Sequence, residues 1–160
     1  MANIQKITPC LWFDKQAEEA AKFYTSIFPN SSIGRTSRYG KEGFEHHHMP
    51  EGTVLTIDFS LNGQNFTALN GGPIFKFTEA ISLIVSCKDQ EELDHYWYKL
   101  AEGGDEKAQN CGWLKDKFGV SWQIVPSILP SLMTDKDRSG RVMAALMQMK
   151  KLDIKALEEA

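Results

Sequence analysis

The stretch CGWLKDKFGVSWQIVP, residues 111–126, decides the fold. Its spacing predicts a hairpin: a strand over 112–115, a turn through Asp116, Lys117, Phe118 and Gly119, and a strand over 120–125. Pro126 ends that strand because proline has no N–H to give to a ladder. Side chains alternate along a strand, so Val120, Trp122 and Ile124 share one face and Ser121, Gln123 and Val125 the other. One face is expected to pack, and the other to remain available to a ligand.

Upstream of that hairpin the pattern predicts a strand over 80–87 with Ile81, Leu83 and Val85 on one face. Asp89 then caps a helix whose apolar stripe is Leu93, Tyr96, Trp97 and Leu100, before the breaker Gly103-Gly104. The first half of the chain follows the same order. A strand over 4–13 places Leu11 and Phe13 on one face and Thr8, Cys10 and Trp12 on the other. Asp14 caps a helix over 16–28, with Ala17, Ala20, Ala21, Tyr24 and Phe28 on one side, and Pro29-Asn30 stops it. A strand over 31–39 and a polar loop over 40–52 follow, then a hairpin of strands 54–61 and 64–70 joined at Asn62-Gly63, a pair that tolerates positive φ. The repetition predicts an α+β fold of two βαβββ modules, 4–70 and 80–126, within one domain, 1–160. The remainder, 127–160, reads as a helical tail. There Val142, Leu146 and Met149 form one stripe and Met143 and Met147 a second, so the tail helix is apolar on more than one side.

Composition narrows the function classes. With 160 residues, 42% hydrophobic and 24% charged, the chain can bury a core unaided. A net charge of -3 offers no basic footprint for nucleic acid. The three cysteines, Cys10, Cys87 and Cys111, lack CxxC spacing, which predicts reduced thiols and a cytoplasmic protein. No secretory segment and no apolar run of membrane-spanning length is read, so no membrane partner is expected.

Four segments, TPCLWFD (8–14), AEEAAKFYTSIFPNS (17–31), ALNGGPIFKF (68–77) and the opening hairpin, resemble the PhnB-like family, as does the tail motif ALMQMKKLDI (145–154). That family bears the label 3-demethylubiquinone-9 3-methyltransferase-like and belongs to the vicinal oxygen chelate superfamily, with glyoxalase I, bleomycin-resistance proteins and extradiol dioxygenases. The resemblance implies paired βαβββ modules, each curling into a concave sheet, commonly assembled as homodimers, with a ligand site in the concavity. It also implies that enzymes of the superfamily hold a divalent metal through four His or Glu side chains on the first and last strands of each module. By strand phase those positions here are Thr8, Phe66, Ala80 and Gln123, which form no such set, and a one-residue shift to Pro9, Thr67 or Ile81 restores none. No glyoxalase-type metal and no cofactor are therefore expected; a metal-dependent lyase, isomerase or dioxygenase is the alternative.

Other chemistry is sparse. His46, His47 and His48 alternate in direction along an extended loop and cannot jointly face one metal. His95 reads as a surface residue on the flank of its helix, and Cys10, the best thiol candidate, reads as a small, partly buried hydrophobe rather than a nucleophile because no local motif brings a histidine to it. The methyltransferase label is disfavoured, because Gly71-Gly72-Pro73 opens onto an extended segment and offers no helix N-terminus to a cofactor. The expectation is a cavity for a small aromatic or hydrophobic molecule. Its candidate lining is Thr8, Cys10, Trp12, Phe66, Asn70, Phe75, Ser82, Trp113, Ser121 and Gln123, with Asn70, Ser82, Ser121 and Gln123 supplying hydrogen bonds.

Overall fold

The structure is a computed structural model that describes residues 5–160. The chain divides after Lys76 into two compact units. In the first, β1 (Cys10–Phe13), α1 (Ala17–Ile27), β2 (Ser32–Arg38), a short α2 (Phe44–His47), β3 (Val54–Leu61) and β4 (Gln64–Asn70) build a sheet of order β1-β4-β3-β2. The first and last strands pair in parallel, Cys10 with Thr67 and Phe13 with Asn70, and the rest of the sheet is antiparallel. This is the expected βαβββ module.

Helix α1 packs on β3 and β4, burying Ala17, Ala20, Ala21, Tyr24 and Ile27 against Leu11, Phe13, Ile57, Phe59, Leu61, Phe66 and Ala68. Three alanines in the stripe let the helix approach the sheet closely. Tyr24 stacks on Phe59, and Phe59 on Phe66, at centroid distances of 6.1 and 5.3 Å. The hairpin between β3 and β4 turns at Asn62 and Gly63, with φ of 48° and 82°, the left-handed pair that a two-residue turn of this hand requires.

Three local expectations are corrected. The expected strand starts at residue 4, which lies outside the described residues, and among the described ones β1 begins only at Cys10, because Pro9 can accept from Thr67 N through its carbonyl but has no N–H to extend the ladder. Asp14 does not cap α1: the N-cap is Gln16, without a side-chain bond, and the amide of Ala17 is satisfied instead by Asn70 Oδ1 at 2.9 Å. The buried end of the helical stripe is Ile27, not Phe28.

The second unit contains β5 (Ser82–Cys87), α3 (Gln90–Ala101), a 3-10 turn (Glu106–Ala108), β6 (Trp113–Lys115) and β7 (Ser121–Pro126), in a sheet of order β5-β7-β6. Its first and last strands are again parallel. Asp89 caps α3 as expected, accepting from Glu92 N at 2.9 Å. The opening hairpin turns on Asp116, which is 2% exposed and accepts from Phe118 N, Val120 N and Trp122 Nε1 at 2.9, 3.0 and 2.8 Å.

This module has one strand fewer than expected among the described residues. The loop after α3 takes that place: a Cβ on Gly104 would lie 2.1 Å from the Lys115 carbonyl oxygen, so the loop closes directly over β6. The tail adds α4 (Leu129–Thr134), α5 (Ser139–Leu146) and α6 (Ile154–Glu159). Its 149–152 segment docks on the hairpin, where Cys111 N and Gly112 N donate to Met149 O and Lys150 O at 2.8 Å each. Val142, Leu152 and Leu157 are fully buried, whereas Met143 and Met147 are exposed.

Candidate functional site

In the first unit the face of the sheet turned away from α1 carries Cys10 and Trp12 of β1, Thr67 and Leu69 of β4, and Thr56, Asp58 and Ser60 of β3, because these are register neighbours out of phase with the buried set. Asp58 accepts from Thr67 Oγ1 at 2.9 Å and from Arg35 Nε at 3.3 Å. Arg35, Asp58 and Thr67, together with Thr8, Asn65 and Phe66, border an open cleft of about 490 Å³. Cys10 is exposed. Partial burial of its thiol, reinforced by the charge of Asp58, holds its pKa above the ordinary thiol value. It is thus a poorer nucleophile than a free cysteine at neutral pH.

In the second unit the corresponding face carries Ser82 and Ile84 of β5, Ser121 and Gln123 of β7, and Trp113 and Lys115 of β6. Gln123 Nε2 donates to Ser82 Oγ at 2.9 Å, and Ile84 is 65% exposed. Lys115 Nζ pairs with Glu79 Oε1 at 2.5 Å. A cavity of about 430 Å³ is lined by Glu79, Asn110, Cys111, Trp113, Lys115 and Ser121, among others.

The candidate residues thus fall in two groups, Thr8, Cys10, Trp12, Phe66, Asn70 and Phe75 in the first unit and Ser82, Trp113, Ser121 and Gln123 in the second. Cys10, Trp12, Ser82, Ser121 and Gln123 lie on the faces the alternation assigns them, and Trp113 stands beside Gln123 on the same face. Thr8 is exposed, ahead of β1, and borders the cleft. Phe66 is 7% exposed and stacked on Phe59 in the core layer, reaching the cleft only at its border, while Thr67 occupies the open-face position on β4. Asn70 is 3% exposed and structural: it caps α1 and donates to Val54 O at 3.0 Å.

Trp12 is fixed rather than free. Its Nε1 donates to Gly72 O at 2.9 Å, its ring meets Phe75 edge-on at 4.9 Å, and a Cβ at Gly71 would come within 2.2 Å of it. The Gly71-Gly72 pair therefore serves the indole of Trp12, which explains the glycines without a cofactor.

The histidine run forms a helical turn, not an extended loop. Within it His47 is committed at both nitrogens, Nε2 donating to Glu42 O at 2.9 Å and Nδ1 accepting from Met49 N at 2.8 Å, with its ring on Tyr39. His95 is exposed, beside Tyr96. Of the four positions the resemblance assigns to a metal, Thr8 lies ahead of β1, Phe66 packs in the core layer, Ala80 lies in the turn ahead of β5 and Gln123 is on the open face of β7, and the open-face side chains at these places are Cys10, Thr67, Ser82 and Gln123. These are neutral donors, and Thr67 and Gln123 already bond Asp58 and Ser82. The set does not fit a glyoxalase-type metal. Among the described residues no group of three or more His, Cys, Asp or Glu could hold a metal ion.

Sequence reading missed Asp58, Arg35, Lys115 and Glu79 as site residues. The signal for Asp58 lay in VLTIDFSL itself, since burying Ile57, Phe59 and Leu61 puts Thr56, Asp58 and Ser60 on the open face. Arg35 and Lys115 sit on strands, and Glu79, in the turn ahead of β5, is brought in by its ion pair with Lys115, none of which the local sequence states.

The profile of the 3-demethylubiquinone-9 3-methyltransferase family matches residues 5–125. The tail motif at 145–154 lies outside that match. A PhnB protein from Bacillus cereus, carrying the same methyltransferase description, is 42% identical, with 76% of this chain and 99% of that one covered and a TM-score of 0.64. A Staphylococcus aureus protein is 35% identical over 77% of this chain and 96% of its own, with a TM-score of 0.34. PA1353 from Pseudomonas aeruginosa, at 18% identity, 76% and 96% coverage and a TM-score of 0.56, shares the fold. No curated protein matches the chain. No described helix is long and apolar enough to cross a membrane.

Proposed function

We propose, since this chain belongs to the 3-demethylubiquinone-9 3-methyltransferase (PhnB-like) family, that it binds a small aromatic or hydrophobic molecule on its open sheet faces without a glyoxalase-type metal. The observation that carries this reading is the face of the second sheet. There an exposed Ile84 and a half-buried Trp113 stand beside Ser82 and Gln123, which bond each other, and the buried Ser121, the mixture of apolar wall and few polar groups that small-molecule sites use. The neutral Cys10, Thr67, Ser82 and Gln123 on the open faces, with Phe66 in the core and Ala80 in a turn, support the metal-free part. A methyltransferase reading has no support in the Gly-Gly segment, which packs on Trp12.

The protein works, on this reading, as a cytoplasmic homodimer, in keeping with its three free cysteines. A thermal-shift screen of neutral and charged aromatic compounds, run on the wild type and on Gln123→Ala, tests it. Stabilisation of the wild type that weakens in the variant is expected; a screen in which nothing stabilises the wild type overturns it. Elemental analysis of untagged protein tests the metal, with near one equivalent of a divalent ion per chain overturning that part.

A further inference from the structure

The cavity of the second unit contains a buried hydroxyl with nothing to bond. Ser121 is 2% exposed, and its Oγ has no hydrogen-bond partner among the described residues. Buried polar atoms are nearly always paired, so an orphan at the wall of a cavity points to a partner that arrives with a ligand. The geometry around it states the ligand's charge. Ser121 is the register neighbour of Lys115 on β6 and of Ser82 on β5, and Glu79 lies in the turn just ahead of β5. The Lys115–Glu79 ion pair therefore reaches from one side of β7 to the other beside Ser121, and all three residues line one cavity.

The two members of that pair are not equivalent. Lys115 is held in a strand with its side chain 25% exposed, whereas Glu79 sits on a turn with its side chain 63% exposed. The cation belongs to the wall, and the carboxylate is the member that can swing away. Trp113, two residues from Lys115 and on the same face, offers a flat apolar surface.

We propose that this cavity takes a small aromatic carboxylate, whose carboxyl group replaces that of Glu79 on Lys115 and accepts the hydroxyl proton of Ser121 in a hydrogen bond, while its ring lies on Trp113. Glu79 is then the intramolecular occupant of the anion position in the empty protein. The inference rests on the reading that the open sheet faces bind a small molecule, and adds the charge and the anchor.

The test titrates benzoate, and benzamide as its neutral counterpart, into wild-type, Glu79→Gln, Lys115→Met and Ser121→Ala protein, with binding read from backbone amide shifts on β6 and β7. Benzoate should bind the wild type and benzamide much more weakly. Removing the competing carboxylate in Glu79→Gln should tighten benzoate by about two- to fivefold, the range expected for displacing an exposed ion pair. Lys115→Met should weaken it by roughly tenfold or more, and Ser121→Ala by less. Benzoate binding that Lys115→Met leaves intact, or that Glu79→Gln weakens, overturns the proposal. Equal binding of benzamide and benzoate at these strands overturns the carboxylate anchor while leaving the small-molecule reading standing. If neither compound moves these amides and no neutral aromatic does so in the wider screen, both fail. Because Glu79→Gln changes only an exposed side chain, its gain in affinity is independent of any folding defect in the other variants.

Discussion

At the scale of single residues, Asp116 carries more of the structure than any other polar side chain in the hairpin. Its carboxylate takes two backbone amides and the Trp122 indole, all in a buried setting, and hydrogen bonds to a buried charged acceptor are the costly ones to lose. Asp116→Ala should therefore destabilise the protein by about 3 kcal/mol in chemical denaturation; a loss below about 1 kcal/mol would mean that water replaces the carboxylate. Cys87 gives a second, independent check. Burial, with smaller contributions from the charges of Glu92 and Asp89, pushes its thiol up to about 12, so at pH 8 it stays protonated and enclosed in the native state. A soluble disulfide reagent at that pH should modify exposed Cys10 and leave Cys87 untouched until the chain unfolds, as read by mass spectrometry after proteolysis. Asp116 was legible as a turn residue, but its role as a three-way acceptor was not, because that depends on the depth of the turn. Trp12 shows the same limit: alternation places it on the open face, yet its anchor is the Gly72 carbonyl, 60 residues away in the chain.

At the scale of elements, most strands and the two long helices were legible because they have a buried face and so write their period into the sequence, β2 being the exception with every residue exposed. The end of α1 was not. The sequence offers Asp14 as a cap, and the fold uses Asn70 from the far end of β4, which ties Ala17 N and Val54 O together in the core, while Asp14 Oδ1 is buried without a partner among the described residues. Asn70→Ala should consequently cost about 2–3 kcal/mol, a lost cap plus an orphaned buried carbonyl. Asp14→Ala should cost less than half of that, and the ranking, measured by thermal unfolding of the two variants side by side, would reverse if the sequence-level cap were the true one. The short α2 was unreadable for another reason. Its four residues bury none of their side chains, so no apolar period marks it, and what holds it is the pair of bonds from His47 to Glu42 and Met49. The strand absent from the second module follows the same logic, since Gly103-Gly104 reads as a helix stop but also lets the following loop press onto Lys115.

At the scale of the whole molecule, the paired-module pattern was visible in the repeated order of elements, whereas the candidate site depended on which strands become neighbours. The tail poses the question most sharply, because its two apolar stripes suggest a helix made for a partner. Of the first stripe only Val142 is fully buried, Leu146 and Met149 being half-buried and α5 ending at Leu146. The tail is held mainly by Leu152 and Leu157, also fully buried, by Gln90 of α3 through Leu152 O at 3.1 Å and Ile154 N at 2.9 Å, and by the pair of Lys151 with Asp94 at 2.7 Å. Leu152 also packs within 3.0 Å of where a Gly112 Cβ would be, at the start of the hairpin that organises the second unit. Three enclosed aliphatic side chains at about 2 kcal/mol each amount to most of the net stability of an ordinary domain. A chain ending before residue 135 should therefore lose the dispersed amide spectrum of the second unit while keeping that of the first, which has its own core. A truncated chain that retained both sets of signals and an unchanged melting temperature would instead make the tail a detachable helix, and the exposed Met143 and Met147 its working face.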